Sequence, residues 1–333
     1  MRKSTLGRLL DGSARFDLGS RGTADHLPMA LVALSRMGAT EERLVEYFHW
    51  WEENRALPRR DSGRQVDRDD WKQHIGDPRM FDVLWDTFRR WSADRGSAEV
   101  VSAVFPEVSS GVAAVAFHGL IRLAYGIETD HAGEIAAGLA AICSRYVDLG
   151  LQVAEAPPTV SVESAFARIA DALGGAVFPG DSIIGCMRAA AADPRLAAAL
   201  SCPPIAPALL EDLAQASIAL YWQTSDFTVL HMVTTVHAAR VLFGRFPQLA
   251  SDDAVRALWA AACAAYAAAG ARALARGELP SEAPPRRKIF ADGVTSNDAH
   301  VIKMTYTCHC EGAQYGNPLY QVAAARLVAV GKA

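Results

Sequence analysis

The stretch Ser110-Gly-Val-Ala-Ala-Val-Ala-Phe-His-Gly-Leu-Ile-Arg-Leu-Ala-Tyr125 is apolar nearly all round a helical wheel. It therefore predicts a helix enclosed on every side, at the centre of the fold. His118, Arg122 and Tyr125 fall at i, i+4 and i+7 within it and draw one polar stripe down the helix. Outward from this stretch, alanine and leucine dominate, apolar residues recur at three- and four-residue intervals, and alternating β-branched runs are scarce. The expected fold class is all-α, a compact multi-helix bundle with its site between central helices.

Caps and proline breaks punctuate the expected helices. Pro28, just after Asp25 and His26, opens a helix to about Met37, and Thr40 caps the next. Further helices are expected over 78–93, 98–104, 133–147, 161–173, 183–200, 209–221, 227–243 and 251–276, with a final helical pair over 299–330. Breaks at 155–159, 201–207 and 279–287 are too short to prove separate units. One helical domain over 1–333 is expected, and a boundary near 155 is the best place for a division. Residues 52–72 are densely charged and contain Pro58, Gly63 and five arginines, which reads as an exposed loop or lid.

The chain has 333 residues, 51% of them hydrophobic, and 33 basic against 37 acidic residues give a net charge of -4. Such a balance offers no electrostatic footprint for nucleic acid or an anionic membrane. Arg8 and Asp11 interrupt any signal-like apolar run near the amino terminus. The alanine-rich run 257–271 falls short of the roughly 20 apolar residues a membrane span needs, and reads as a closely packed buried helix. Six cysteines are scattered without a CxxC pair, which suits a reducing cytoplasm. No GxGxxG, GxxxxGK[ST] or GxSxG motif is present, so the familiar dinucleotide, nucleotide and esterase sites are excluded.

The main chemical signal is histidine where charge is scarce: His26, His118, His231, His237 and His300. One buried imidazole usually just hydrogen-bonds a carbonyl; several together point to a metal. In Phe227-Thr-Val-Leu-His-Met-Val-Thr-Thr-Val-His237 the two histidines are six apart, about 120° round a helix, so both cannot aim at one centre. His231 is the preferred ligand and His237 is left for substrate or solvent. Ser296-Asn-Asp-Ala-His-Val-Ile-Lys-Met-Thr-Tyr306 puts His300 and Lys303 on one face just inside a helix capped by Asn297 or Asp298. A helix N-terminus disfavours the lysine cation and would stabilise an anion if the amine were carboxylated, making Lys303 an oxygen ligand. Left unmodified, it would snorkel to solvent or pair with an acid. His309, between Cys308 and Cys310, falls on the opposite face and is set aside.

Two rivals use other residues or none. Glu46/His49 and Glu128/His131 have the ExxH spacing of a di-iron carboxylate bundle. The other rival is a non-catalytic protein that holds an aromatic ligand in an apolar interior, with the histidines as hydrogen-bonding groups.

Asp25-His-Leu-Pro-Met-Ala-Leu-Val-Ala-Leu34, Ala116-Phe-His-Gly-Leu-Ile-Arg-Leu-Ala-Tyr-Gly-Ile-Glu128, Leu230-His-Met-Val-Thr-Thr-Val-His237 and Asp298-Ala-His-Val-Ile-Lys303 resemble the questin oxidase-like family in order and spacing across nearly the whole chain. Trp71 to Phe88, and Tyr320-Gln-Val-Ala-Ala-Ala325, are similar to further parts of that family. The resemblance implies oxidation of aromatic polyketides, with an anthraquinone ring opened by oxygen insertion in a Baeyer-Villiger sense and with NADPH as a cofactor. It carries His26, His118, His231, His237, His300 and Lys303 over as site residues, with Arg122, Tyr125 and Glu128 beside them. Joined to the residue reading, it implies four histidines and a carboxylated Lys303 around Fe(II), leaving about one octahedral position for dioxygen or substrate. The metal set is then His26, His118, His231, His300 and Lys303. Arg122 would stabilise an enolate or phenolate, Tyr125 would supply a proton, His237 would meet substrate, and Glu128 would orient an imidazole. The expected partners are a small aromatic substrate and dioxygen.

Overall fold

The computed structural model describes residues 4–59, 63–155, 160–205, 208–274 and 283–330. In chain order, α1 (Thr5–Ser13) leads into β1 (Phe16–Ser20) and β2 (Thr23–Ala24), followed by α2 (Leu27–Arg36), α3 (Glu41–Asn54) and β3 (Ala56–Pro58). Then come α4 (Phe81–Arg95), α5 (Ser97–Val108), α6 (His118–Glu128), α7 (Ala132–Ser144), β4 (Ala154–Glu155), α8 (Val162–Leu173), α9 (Ile183–Ala191), α10 (Pro194–Ala199) and β5 (Ser201–Cys202). The chain closes with α11 (Ala208–Thr224), α12 (Phe227–Arg245), α13 (Asp252–Ala268), α14 (Arg286–Val294), α15 (Ala299–Tyr315) and α16 (Leu319–Val330). The fold is all-α apart from an antiparallel sheet in the order β2-β1-β3 and a two-residue parallel pairing of β4 with β5.

Caps placed by the sequence hold: Thr40 accepts from the Arg43 amide, and Asp298 accepts from the His300 and Val301 amides. One hydrophobic cluster runs from Leu10 to Val328 and takes in residues on both sides of position 155; residues 156–159 lie outside the described ones. α12 is the one described helix long and apolar enough to cross a bilayer, and 72% of its most apolar window is buried inside the fold.

Several expectations need correcting. The helix expected over 110–125 starts only at His118, because Val115, Ala116 and Phe117 all have positive φ. Three successive non-glycine residues in the left-handed region end any helical path and cost about 1–2 kcal/mol each. The helix expected over 183–200 breaks at Asp193-Pro194, where proline starts a new first turn. The one expected over 251–276 stops at Ala268, with Gly270 left-handed just beyond; residues 275 and 276 are outside the described ones. Part of the 279–287 break is likewise outside, and α14 begins at Arg286 within it. The final pair splits into α15 and α16 at the left-handed Gly316. α1, too short and polar for periodicity to show it, was not expected, and neither was the sheet.

Residues 52–72 are not all loop. α3 continues to Asn54, β3 pairs with β1, and a short 3-10 turn begins at Trp71. Arg59 is tied to Asp82 and Asp86 on α4, and the Val66 carbonyl accepts from Thr87. Only 60–62 lie outside the described residues.

α6 and α7 lie close because glycine lines their crossing. A Cβ on Gly138 would collide with the Leu123 backbone, and one on Gly126 would come within 2.7 Å of the Ile135 amide. This approach fixes α6, and with it His118.

Candidate functional site

Four helix starts meet at one buried point. His26 is the N-cap of α2, His118 the first residue of α6, His231 lies in the second turn of α12, and His300 is the second residue of α15. Their rings form a closed quadrilateral: centroids of His26 and His118 are 4.5 Å apart, His118 and His231 5.0 Å, His231 and His300 5.3 Å, His300 and His26 4.6 Å. His26, His118 and His300 are the one group of three or more His, Cys, Asp or Glu among the described residues whose ligand atoms lie within 4.8 Å of one another. Lys303, one turn along α15 from His300, is fully buried and bears on all four imidazoles.

The outer ring nitrogens are taken. His118 Nδ1–H donates to the Val115 carbonyl at 2.6 Å and His231 Nδ1–H to the Phe227 carbonyl at 2.7 Å. His300 Nδ1 faces Asp298 Oδ1 at 3.4 Å, and His26 Nε2 faces the Thr23 hydroxyl at 3.3 Å. A carbonyl can only accept, so it sets the tautomer and leaves a lone pair on the other nitrogen. His118 Nε2, His300 Nε2 and His26 Nδ1 are buried without a hydrogen-bond partner. Buried ring nitrogens without a partner are rare, and a cation would satisfy all three at once.

The left-handed turn at 115–117 now has a role: it brings the Val115 carbonyl back to the imidazole three residues later. Arg43 does similar work from α3. It donates to the carbonyls of Val294 and Ser296 and to the Asn297 side chain, pinning the segment that leads into Asp298 and His300.

Burial dominates the electrostatics. It holds His26 and His118 well below the usual imidazole range and brings His231 to about 3, with the Lys303 ammonium adding to each shift. His300 is also lowered, by burial first, against the pull of Asp298. Burial brings Lys303 itself down to about 7. Positive helix N-termini act in the same direction. Neutral imidazoles and an amine that loses its proton near neutrality are the protonation states a metal centre requires.

A pH dependence follows for the metal-free protein. The imidazoles are depressed, so their contribution to stability is complete above about pH 6.5 and is lost as pH falls towards the folded values. Asp25, pushed up to about 7, opposes them in that window, but it is one proton against several. Lys303 adds stability as pH rises above about 7. We expect the urea midpoint of metal-free protein to rise from pH 5 to 7 and again to about 8.5, beyond which buried thiols reverse the trend. A midpoint that falls from pH 5 to 7 contradicts this.

The remaining expected site residues go elsewhere. Arg122 leaves the stripe: its Nε donates to Glu134 at 2.7 Å, its Nη1 lies 3.6 Å from Asp25, and its guanidinium sits over Trp85, all buried. Tyr125 and His237 join a second buried cluster farther along α6, α12 and α15. There His237 Nδ1–H donates to Glu311 at 2.6 Å, its Nε2 lies 3.6 Å from Glu128, and the Tyr306 hydroxyl donates to Glu128 at 3.2 Å. The six-residue spacing of His231 and His237 sends them to these two different clusters.

The ExxH pairs do not converge. Glu46 and His49 lie on the exposed face of α3, while His131 caps α7 by accepting from the Glu134 amide. His309 packs edge-on against Phe290, away from the quartet. Sequence reasoning missed Glu134, Glu311, Thr23 and the stacking of Trp51 on His26; no local spacing marks such pairings. Phe227, half-exposed with its ring 4.7 Å from His231 and 4.6 Å from His300, was read only as a helix residue.

Fold and site together define an all-α protein with a buried polyhistidine centre at converging helix N-termini. The family model described as Questin oxidase-like matches residues 23–308, a span holding the whole quartet and Lys303. The chain belongs to the questin oxidase-like family and is an oxidoreductase of that family. No curated protein matches it.

Proposed function

We propose that this protein is a mononuclear non-haem iron oxygenase that oxidises a small aromatic substrate, a phenol, quinone or related polyketide, with dioxygen, by oxygen insertion or ring cleavage. The observation that carries the reading is the quartet of neutral imidazoles beside buried Lys303, with three inward nitrogens unpartnered. His26, His118, His231, His300 and a carboxylated Lys303 would hold the iron through five donors, one fewer than an octahedral ion takes. When bound, iron supplies the one-electron chemistry that lets triplet dioxygen react with a closed-shell ring.

The chain's own residues do the rest. The neutral Lys303 amine attacks carbon dioxide through nitrogen and releases a proton, and the α15 N-terminus stabilises the resulting anion. The carbonyls of Val115 and Phe227, with Thr23 and Asp298, hold the imidazoles in place. The half-exposed Phe227 ring offers a face on which a planar substrate stacks.

Elemental analysis of the purified full chain tests this. About one iron per chain is expected for an octahedral site; two contradict a mononuclear centre, and none after anaerobic reconstitution supports a binding protein. Dioxygen uptake on an aromatic substrate then separates the two chemistries. Ring cleavage by dioxygenation needs no reductant, whereas insertion of one oxygen atom needs two electrons, as from NADPH.

A further inference from the structure

A cavity of about 430 Å³ opens beside the histidine quartet, between the β1–β2 turn, the end of α7 and the start of α9. Its size falls in the range of small-molecule sites. Two of its lining residues, Thr23 and Val115, are the groups to which His26 and His118 hydrogen-bond. Whatever fills the cavity is therefore one residue away from two imidazoles of the centre.

The walls have a definite chemistry. Pro78, Val147 and Ile184 make an apolar lining. Tyr146 supplies an aromatic ring that is fixed in place: its hydroxyl bonds Ser110 at 2.6 Å, and its ring lies so close to Gly111 that a Cβ there would collide with it. Arg145 and Arg188, both exposed to solvent, stand at the rim of the same cavity, and among the described residues neither guanidinium has a carboxylate or hydrogen-bond partner in the protein. The other arginines near the centre are spent: Arg122 on Glu134, Arg43 on backbone carbonyls, Arg59 on Asp82 and Asp86. Two unpaired forks over an apolar, aromatic-walled cavity select a planar ring that carries an oxyanion.

We infer that this cavity binds an aromatic carboxylate, its ring against Tyr146 and its carboxylate held by Arg145 and Arg188. As the subsite for the acidic end of the substrate it rests on the oxygenase reading; the binding itself does not need the metal. A ligand seated there presses on Thr23 and Val115, so it reaches His26 and His118 through their hydrogen bonds.

The test uses the full metal-free chain and calorimetric titration with 2-naphthoate and with its neutral counterpart 2-naphthalenemethanol. Saturable one-to-one binding of naphthoate is expected, with the alcohol much weaker. Arg145→Gln/Arg188→Gln should weaken naphthoate about thirtyfold or more, as loss of charge-assisted hydrogen bonds does, and leave the alcohol unchanged. Val115→Trp, which fills the cavity, should abolish both; if it fails to fold, the arginine variant alone decides. No naphthoate binding to the wild type, or equal binding to the double arginine variant, overturns the inference. Iron content of the same variants is measured separately, so a failed metal reading appears there and not in the titration.

Discussion

Replacing Lys303 by alanine, or His118 by alanine, is expected to reduce bound iron from about one per chain to a few per cent and to abolish turnover, with the helical circular dichroism unchanged. Both side chains are buried; His118 stacks on His26 of α2, but neither makes a hydrogen bond or ion pair to another helix among the described residues. His118 donates only to Val115 in its own turn. Lys303 is a buried amine that burial has brought down to about 7, so its removal takes away a group whose charged form the interior penalises. Lys303→Met, of similar volume, should lose iron equally and leave metal-free protein at least as stable as wild type at pH 7. Full iron content in either alanine variant would remove the proposed centre. Iron retained with turnover lost would place Lys303 in the reaction but not in the coordination sphere.

Arg122→Leu should have the largest effect on stability, a loss of about 3–5 kcal/mol, because it leaves buried carboxylates without their cation. Glu134 then keeps only the Ser13 hydroxyl, 3.1 Å away, and Asp25 loses the guanidinium that opposes the upward pull of burial on its carboxyl. Arg122→Leu/Glu134→Leu should recover much of the loss, since replacing both members of a buried pair with apolar groups is often neutral. Urea denaturation of metal-free protein reads both numbers. An unchanged midpoint for the single variant contradicts the pairing. The double variant also decides the chemical role proposed for Arg122 from the sequence. Turnover kept at normal iron content rules out stabilisation of a reacting oxyanion, and turnover lost at normal iron content supports it.

The chain's periodicity and caps carried most of the architecture. Thr40 and Asp298 stand where capping chemistry puts them, and Pro28 opens α2 as a first-turn proline does. The errors cluster where tertiary packing overrules local preference. No residue in Val115-Ala-Phe117 favours a left-handed turn, and its cost is met by packing and by the bond it brings to His118. The stripe of His118, Arg122 and Tyr125 is real on the helix, yet the three side chains serve three different partners.

His26, His118, His231, His300 and Lys303 all stand out in the sequence itself, because histidines in apolar helices and a lysine just inside a helix cap are unusual. Their roles relative to one another do not. Sequence spacing sets direction round one helix, so it could separate His231 from His237 by angle. It carries no distance between helices, and the pairings of Arg122 with Glu134, His237 with Glu311 and His26 with Thr23 are all made across such distances or turns. The amino acids alone therefore specified the helices, the apolar interior and the histidines and lysine of the buried cluster, since those follow from periodicity and residue chemistry. Which four helix starts meet, which nitrogens face inward, and which charges are already paired were settled by the packing of α2, α6, α12 and α15, because only close approach in the folded chain creates those neighbours.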